Sequence, residues 1–310
     1  MSTTATVDTV NIDTVNIDTV NIIDTHFHIW DLAKQRLPWL DECDAAFRRT
    51  YSMDDYVAQY ARYAEGLESS GSGAGSGPSA GSEPGSGPAK RINFMGGIYV
   101  DADTDDPLLE DRLLYENKDP HLLATMNRVT ISPYMRIPIR ATGVRDPLHT
   151  AQSPAGRCLE PSFIEGLRAL AGKSLIFESC NRAGELEDLY DALVQVPQLT
   201  VVLNHLGNPG ELSTGYLHAM RKLASLPNLY CKVSGFPTSD SAFVEELLDF
   251  AQDTFAPDHL FYASNWPVVS LYSNFAEHLD ILLERFGDDP GFFWKNAARV
   301  YGIDVSSKVK

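Results

Sequence analysis

Three histidines fall where strongly apolar, strand-like runs of the sequence end. His26 and His28 lie in the run Asn21–Trp30, and His205 lies in the run Leu199–Gly207. Strand residues two apart point to the same side, so His26 and His28 can present both imidazoles to one point. That arrangement suits a divalent metal ion or an oxyanion. Paired strand histidines are also often just hydrogen-bonded, so the pair alone leaves both interpretations open.

A polar residue falls at the corresponding place in the last run. Asn265 comes just before Trp266 and Pro267, and a proline ends a central strand because it has no N–H to donate. Asn265 and the three histidines together form a more specific pattern than any one of them. The pattern predicts an active site built at strand ends.

The elements that would position these side chains alternate regularly. Eight apolar, β-branched runs predict strands at Asn21–Trp30, Ile92–Ala102, Leu122–Ile131, Ile137–Leu148, Ser174–Asn181, Leu199–Gly207, Asn228–Phe236 and Leu260–Val269. Helical patterns cover Ser52–Leu67, Glu160–Ala171, Glu185–Val194, Gly215–Ala224, Ser241–Phe255 and Phe275–Phe286. Ser52, with Asp55 three residues on, is a capping signal for the first helix. The gap between the third and fourth strands is too short for a full helix.

Strands alternating with helices imply a parallel sheet, and eight repeats in 310 residues favour closure into a (β/α)8 TIM barrel. In such a barrel the carboxyl ends of the strands face the active site. The predicted histidine and asparagine positions would therefore meet at one end of the barrel.

Two segments do not fit the repeating pattern. Residues 1–20 carry a five-residue repeat, beginning Val10-Asn11-Ile12-Asp13-Thr14, and are expected to be an N-terminal tail. Residues 21–310 are expected to form a single barrel domain. Residues at about 69–89 are almost entirely Gly, Ser, Pro and Ala, a composition that predicts a flexible, dispensable insertion on the face opposite the chemistry.

The overall composition excludes several classes of protein. The net charge of -17 disfavours nucleic acid and anionic membranes as partners, because phosphate binding depends on Lys and Arg. No apolar run approaches a membrane span, and the N-terminus has no signal-peptide pattern. None of the four cysteines forms a CxxC pair, which indicates free thiols. A cytoplasmic protein with a small-molecule partner is expected.

With these histidines and strand ends, the chain resembles the amidohydrolase-related lactonases, a family of metal-dependent hydrolases with a TIM barrel. The similarity extends from Asn21 to Ile303, through DTHFHIWD, LPWL, GGIYVDA, TGVRDPL, VVLNHLGNP, LYCKVSG, YASNWPV and FFWKNAARVYGI. Relatives hydrolyse L-fuconolactone, 4-sulfomuconolactone and 2-pyrone-4,6-dicarboxylate, and decarboxylases share the barrel. Trp-Pro-Val after the eighth strand is more similar to the lactonase branch.

One position departs from the family pattern, which reads Ser-Asp-Trp-Pro where this chain has Asn265. The resemblance implies that an Asp there activates the attacking water as general base and can also bind metal. An amide has no basic lone pair at neutral pH, so Asn265 cannot take the proton. Two origins are open, a designed Asp→Asn exchange or a natural change in a divergent member. Either predicts a strongly impaired hydrolase.

The remaining candidates are assigned by position. Arg145 matches a family arginine and can clamp a carboxylate or lactone oxygen, or it can form a surface or structural ion pair. Glu178 ends the fifth run, where it can bind metal, act as a base or support a histidine. Lys232 can neutralise an anionic substrate or form a buried salt bridge. Three loop and strand-end residues can also contact substrate, which are Arg49, Tyr51 and Trp266. The alternatives are a solvated loop for the first two and a core position for Trp266.

The leading hypothesis is a hydrolase that opens the ring of a small anionic or sugar-derived lactone. A divalent ion, Zn or Mn, would be held by His26, His28, Glu178 and His205, although a metal-independent mechanism is equally compatible with the family. His26, His28 and His205 would stabilise the oxyanion in the hydrolysis reaction. Two alternatives are a decarboxylase on the same barrel and a binding protein without catalysis. A lactone or carboxylate is the expected partner, and a homo-oligomer is left open.

Overall fold

Eight parallel strands form one continuous sheet in this computed structural model, which describes residues 19–71 and 91–309. Each strand pairs with the next one along the chain, in the order β1 to β8. The strands are β1 Thr19–Phe27, β2 Arg91–Val100, β3 Leu122–Arg128, β4 Gly143–Asp146, β5 Ile176–Ser179, β6 Val201–Leu203, β7 Leu229–Val233 and β8 Leu260–Tyr262.

The first and last strands meet immediately beside the histidine pair. Phe27 forms a parallel bridge with Trp266, and the His28 N–H donates to the Trp266 carbonyl at 2.8 Å. The Asn265 N–H donates to the His26 carbonyl at 2.9 Å. These contacts bring the sheet round into the predicted (β/α)8 barrel, and they fix Asn265 next to β1.

Helices separate most of the strands. They are α1 Met53–Gly71, α2 Pro107–Glu116, α3 Pro161–Ala171, α4 Leu186–Leu193, α5 Thr214–Ala224, α6 Ser241–Thr254, α7 Phe275–Phe286 and α8 Asn296–Tyr301. Short 3-10 turns lie at Pro38–Glu42, Arg157–Leu159, Ala183–Glu185, His205–Gly207, Pro257–His259 and Val268–Leu271, and a π-helical turn lies at Gly291–Lys295.

The predicted helices agree with this arrangement, with two additions. Ser52 and Asp55 cap α1 reciprocally, because the Asp55 N–H donates to Ser52 Oγ at 3.1 Å and the Ser52 N–H donates to Asp55 Oδ2 at 2.9 Å. No helix joins β3 to β4, as the short gap predicted. The sequence patterns did not identify α2 or α8 as helices.

The core has an inner and an outer part. Inside the barrel, apolar side chains from the strands pack together and meet α8 at the bottom, among them Ile23, Ile98, Met126, Val202 and Phe261. A larger cluster fills the space between the sheet and the surrounding helices. Because both faces of the strands are covered, the strands are nearly continuous apolar runs, and these runs predict the strands from the sequence.

The predicted tail and insertion lie mainly outside the described residues. Thr19 and Val20, at the end of the predicted tail, already belong to β1, and the start of the predicted insertion belongs to α1. None of the helices within 19–71 and 91–309 combines the length and apolarity needed to cross a bilayer. The four cysteines are all free thiols, as expected.

Candidate active site

A cavity of about 320 Å³ lies at the carboxyl ends of the strands and brings five of the predicted residues together. They are His26, His28, Arg145, His205 and Asn265. Each of these side chains is at least nine-tenths buried. The strand-end pattern in the sequence therefore converges on one pocket, at the face where barrel enzymes hold their active sites.

A buried carboxylate on β1 fixes the base of this arrangement. Asp24 accepts hydrogen bonds from the N–H groups of His26 at 3.1 Å and Ser264 at 2.8 Å. It also accepts from the hydroxyls of Tyr56 at 2.7 Å and Tyr60 at 3.0 Å, both on α1. Burial raises the pKa of Asp24, and these hydrogen bonds oppose that rise. Asp24 thereby locks β1, α1 and the segment after β8 into one relative position.

The two strand histidines face each other, with their Nε2 atoms 3.1 Å apart. His28 Nδ1 lies 2.9 Å from the Val100 carbonyl, which can only accept, so this nitrogen carries the proton. Burial and then Arg145 lower the pKa of His28 to about 3, so the ring is neutral and Nε2 is an acceptor.

The neighbouring ring then has a defined tautomer. His26 Nε2 must carry the proton that is shared with His28, and His26 Nδ1 accepts from Lys232 Nζ at 3.3 Å. Burial, followed by the charge of Lys232, holds the pKa of His26 well below its ordinary value. The two imidazoles are therefore neutral ligands or hydrogen-bond partners at neutral pH.

His205 completes the cluster from the other side of the barrel. Its ring centroid lies 4.5 Å from that of His26, and its Nδ1 lies 2.8 Å from Ser234 Oγ. Burial and Lys232 keep its pKa well below 6.5. Gly235 permits this approach, because a Cβ there would lie only 2.6 Å from the His205 Cβ.

Several residues of the cavity hold a backbone conformation that side chains disfavour. The φ angles of Asp103, His205, Asn208 and Asn265 are 55°, 54°, 56° and 56°. All four line the cavity. Non-glycine residues in the left-handed region cost free energy and cluster at functional sites, where surrounding structure enforces them. This strain is a second indication, independent of the histidines, that the cavity is functional.

Arg145, on β4, is joined to a carboxylate that sequence patterns did not single out. Its Nε lies 2.7 Å from Asp101 Oδ2, one residue beyond β2. The side chains are 6% and 0% exposed. The two groups form an ion pair, but the angle at the contact does not allow a hydrogen bond, and neither atom has another hydrogen-bond partner. Both groups thus keep hydrogen-bonding capacity within the cavity.

Glu178 and Lys232 lie beneath the cavity and bind each other. Lys232 Nζ donates to Glu178 Oε1 at 2.6 Å, and the Tyr301 hydroxyl donates to the same oxygen at 2.7 Å. Both charged side chains are fully buried. Burial lowers the pKa of Lys232 to about 8, against the opposing effect of Glu178. The pair supports His26 from behind and does not itself line the cavity.

The other three predicted substrate residues do not line this cavity. Trp266 packs between two tyrosines. Its ring centroid lies 5.5 Å from that of Tyr51 and 5.3 Å from that of Tyr56. The Arg49 guanidinium lies 4.0 Å from the centroid of the Tyr51 ring and its side chain is 53% exposed. Tyr51 itself borders a separate cavity between α1 and α2. Trp39, from the loop after β1, lines the histidine cavity instead.

A thiol and a histidine in the cavity were missed by the sequence patterns. Cys180, one residue beyond β5, is hydrogen-bonded to His149, and both line the cavity. Burial favours the neutral thiol, but His149 and Arg145 prevail and lower the pKa of Cys180 to about 7. The thiol in turn raises the pKa of His149. Cys180 follows β5 and His149 follows β4, and these positions just beyond strand ends are the sequence feature that could have identified them.

A divalent ion would find only part of its ligand set here. The His26 and His28 Nε2 atoms are 3.1 Å apart, close to the separation of about 3.3 Å between two nitrogens on a tetrahedral zinc ion. Asn265 Oδ1, 3.3 Å from His28 Nε2, is the nearest third donor. Within residues 19–71 and 91–309, no three His, Cys, Asp or Glu side chains are arranged to hold a metal.

Known proteins share this fold and these elements. Residues 140–303 match the amidohydrolase family. A solved amidohydrolase 2 from Bifidobacterium longum subsp. infantis is 44% identical, with a TM-score of 0.78, over 92% of this chain and all of that one. An L-fucono-1,5-lactonase from Burkholderia ambifaria is 24% identical over 304 residues, 92% of this chain and 97% of its own.

A further solved structure shares the fold at lower identity. It is an amidohydrolase from Burkholderia multivorans with bound zinc, 20% identical, with a TM-score of 0.70 over 91% of this chain and 99% of that one. The family match covers more than half of the chain, and the Bifidobacterium protein matches nearly all of it. The chain therefore belongs to the amidohydrolase family of TIM-barrel hydrolases.

Proposed function

We propose that this chain is a lactonase, which hydrolyses the cyclic ester of a small organic molecule. The observation that carries the proposal is the convergence of His26, His28, Arg145 and Asn265 on one cavity. The L-fucono-1,5-lactonase similarity over almost the full chain supports the same reaction class. A cavity of about 320 Å³ is at the small end of the usual range for ligand pockets, which agrees with a compact ring as substrate.

Ring opening needs a polarised ester carbonyl, an attacking water and a group that takes the proton of that water. Arg145 supplies a permanent positive charge at the cavity wall and can hold the carbonyl oxygen as negative charge develops. His205 adds a neutral ring beside it. The buried position of these groups strengthens their electrostatic effect, because water does not screen them.

Asn265 can place the attacking water but cannot deprotonate it. Its Nδ2 donates to the Tyr272 hydroxyl at 3.0 Å, so its Oδ1 stays directed at the His28 side of the cavity. A water there can donate one hydrogen bond to Oδ1. The amide oxygen does not accept the proton itself at neutral pH, so hydrolysis with Asn265 should be slow.

The zinc-bound neighbour raises the question of a metal in this chain. His26 and His28, with Asn265 Oδ1, are the donors that would hold it, and the ion would have to displace the proton between the two rings. A bound divalent ion would polarise the ester carbonyl and acidify a bound water. Glu178, predicted as a further ligand, is instead bound to Lys232 and Tyr301, so its participation would require that pair to separate.

The direct test compares this chain with Asn265→Asp on a panel of sugar lactones and carboxylated muconolactones, with and without added zinc or manganese. The carboxylate restores a base that is ionised at neutral pH, so kcat should rise by about 10²-fold or more. The Asn and Asp side chains are nearly the same size, so the affinity for the lactone should change little. Equal rates would refute the assignment of position 265.

Product analysis separates the proposal from its two rivals. An opened hydroxy acid, detected by mass spectrometry, supports a lactonase. Released carbon dioxide from carboxylated substrates would instead identify a decarboxylase. Tight binding by calorimetry without turnover in either form would identify a binding protein. A homo-oligomer and a cytoplasmic location stay predictions.

A further inference from the structure

A buried carboxylate lines the same cavity as Asn265. Asp101 follows β2 directly and its side chain is fully buried. The Asp101 N–H donates to the Met126 carbonyl at 3.0 Å, and Asp101 Oδ1 accepts from the Asp103 N–H at 3.1 Å. These contacts fix both the backbone and the plane of the carboxylate, which leaves Oδ2 as the atom available to a ligand.

The free oxygen is placed where the substrate carbonyl would be held. Asp101 Oδ2 lies 2.7 Å from Arg145 Nε but has no aligned hydrogen bond, so a lone pair is unoccupied. A buried carboxylate oxygen without a directional partner is costly and needs an explanation. A water that donates to Oδ2 would satisfy it and would lie beside an ester oxygen held by Arg145.

Other candidate acceptors of the cavity are already engaged in hydrogen bonds or ion pairs. His26 Nδ1 accepts from Lys232, His28 Nε2 accepts from His26, and His205 Nδ1 is bound to Ser234. Cys180 and His149 are hydrogen-bonded to each other. Asp101 and Asp103 are the cavity's carboxylates within the described parts of the chain. Asp103 forms an ion pair with Arg128 and is partly exposed, whereas Asp101 is enclosed.

We propose that Asp101 is the general base of this chain, taking over the role that Asn265 cannot perform. This inference rests on the proposed lactonase function. Asp101 Oδ2 accepts a proton from the water while the water oxygen bonds to the ester carbon and the carbonyl becomes an oxyanion beside Arg145. The tetrahedral intermediate then collapses and the ring C–O bond breaks. The proton on Asp101 passes to the departing alkoxide, which gives the hydroxy acid and restores the carboxylate.

The charges around Asp101 suit this role. The titratable and charged groups that face it come from the strands, the following loop and α2, and they are Tyr99, Asp103, Glu110, Arg128 and Arg145. Burial raises the pKa of Asp101, and Arg145 limits that rise. A carboxyl with a raised pKa is a stronger base than an exposed aspartate while it remains ionised.

The test is a set of four proteins assayed on the same lactone panel: the chain itself, Asp101→Asn, Asn265→Asp and the double variant. Asp101→Asn should lower kcat of the chain by about 10²-fold, the usual cost of losing a positioned base. In the Asn265→Asp background the same change should cost less than about tenfold, since the new carboxylate at position 265 then supplies the base. Asp111→Asn, which alters an ion-paired carboxylate on α2 away from this cavity, is the matched control.

Asp101→Glu covers the case in which Asp101→Asn does not fold. It keeps the charge beside Arg145 but moves the carboxylate by one methylene, and should slow the chain much more than it slows Asn265→Asp. A double variant as slow as Asp101→Asn would overturn the inference and show that Asp101 only orients Arg145. Activity in Asn265→Asp alone, with none in the chain itself, would also overturn it but leave the lactonase proposal intact. Inactivity of all forms would overturn both.

Discussion

Asn265 Oδ1 lies 3.3 Å from Nε2 of His28, and neither atom has a proton to give the other. The Val100 carbonyl fixes the His28 proton on Nδ1, and Tyr272 accepts from the Asn265 amide nitrogen. The His28 Nε2 electron pair accepts from His26 Nε2, so the electron pairs of Asn265 Oδ1 are the ones left open to the cavity. This geometry suits a donating water, or a cation that displaces the proton between the two histidines.

The first prediction concerns that electron-rich point. Zinc content after dialysis should be low in this chain and should rise in Asn265→Asp, because a carboxylate joins the two imidazoles. We expect the zinc affinity to increase by about tenfold or more, since even outer hydrogen-bond partners of metal ligands are worth about 10–100-fold. Elemental analysis and a competitive zinc titration measure it.

His26→Ala and His28→Ala, made in the Asn265→Asp background, should each abolish this gain. His218→Ala, an exposed histidine on α5, is the control and should leave zinc binding unchanged. Full zinc retention in both strand variants would mean that the pair serves only as hydrogen-bond partners.

The second prediction tests whether Glu178 and Lys232 are structural. Lys232→Met should destabilise the fold by about 3–5 kcal/mol, because it leaves a fully buried carboxylate without its counter-charge. The free energy of unfolding in urea measures the effect. The double variant Lys232→Met/Glu178→Gln should recover much of the loss, since the uncompensated charge is gone. No recovery would mean that the two residues contribute independently.

Much of the barrel follows from residue patterns, because both faces of its strands are covered. The continuous apolar runs located all eight strands, and Ser52 with Asp55 marked the start of α1. The runs extended beyond the observed strand ends, since apolar residues also fill the loops above the barrel. α2 was missed although Asp106 caps it by accepting from the Leu108 and Leu109 N–H groups.

The site was predictable only as far as strand alternation holds. His26 and His28 lie at the end of β1 and converge as expected. Trp266 was expected to contact substrate, but it lies four residues beyond β8 and after Asn265, whose φ of 56° turns the chain. Asp101 and Cys180 lie one residue past their strands, and their partners Arg145 and His149 are distant in sequence. Such contacts depend on loop geometry, which no local pattern encodes.

The third prediction concerns stability in acid. Burial lowers the pKa of His278 to about 4, and its Nε2 lies 3.1 Å from the Ala263 carbonyl. The unfolded chain binds a proton below pH ~6.5, whereas the folded chain binds it only near pH 4. Stability is therefore lost as the pH falls between these values, by about 3 kcal/mol from this residue.

Urea unfolding between about pH 7.5 and pH 4.5 covers most of the window between the two pKa values and measures that slope. His278→Gln keeps a donor for the Ala263 carbonyl but does not titrate, so its unfolding free energy should depend less on pH. The slope should not vanish, because His26, His28 and His205 also have lowered pKa values and act in the same direction. An unchanged slope would show that His278 titrates normally.

The last prediction concerns the reactivity of Cys180. Its pKa of about 7, against about 12 for the buried thiol of Cys158, means that at neutral pH much of Cys180 is thiolate, the nucleophilic form. Iodoacetamide should therefore label Cys180 well before Cys158, through the cavity that Cys180 lines, with a rate that rises to half its maximum near pH 7. Peptide mass spectrometry of the native protein, labelled for short times, gives the rate at each cysteine.

His149→Phe should shift this labelling to higher pH, because it removes the group that most lowers the Cys180 pKa. Thermal melting of the variant checks that the fold is retained. A lactone that occupies the cavity should protect Cys180 from the reagent and leave the labelling of Cys43, outside the cavity, unchanged. Labelling of Cys180 only after unfolding would contradict its access to the cavity, and an unaltered pH midpoint in His149→Phe would contradict its pairing with that histidine.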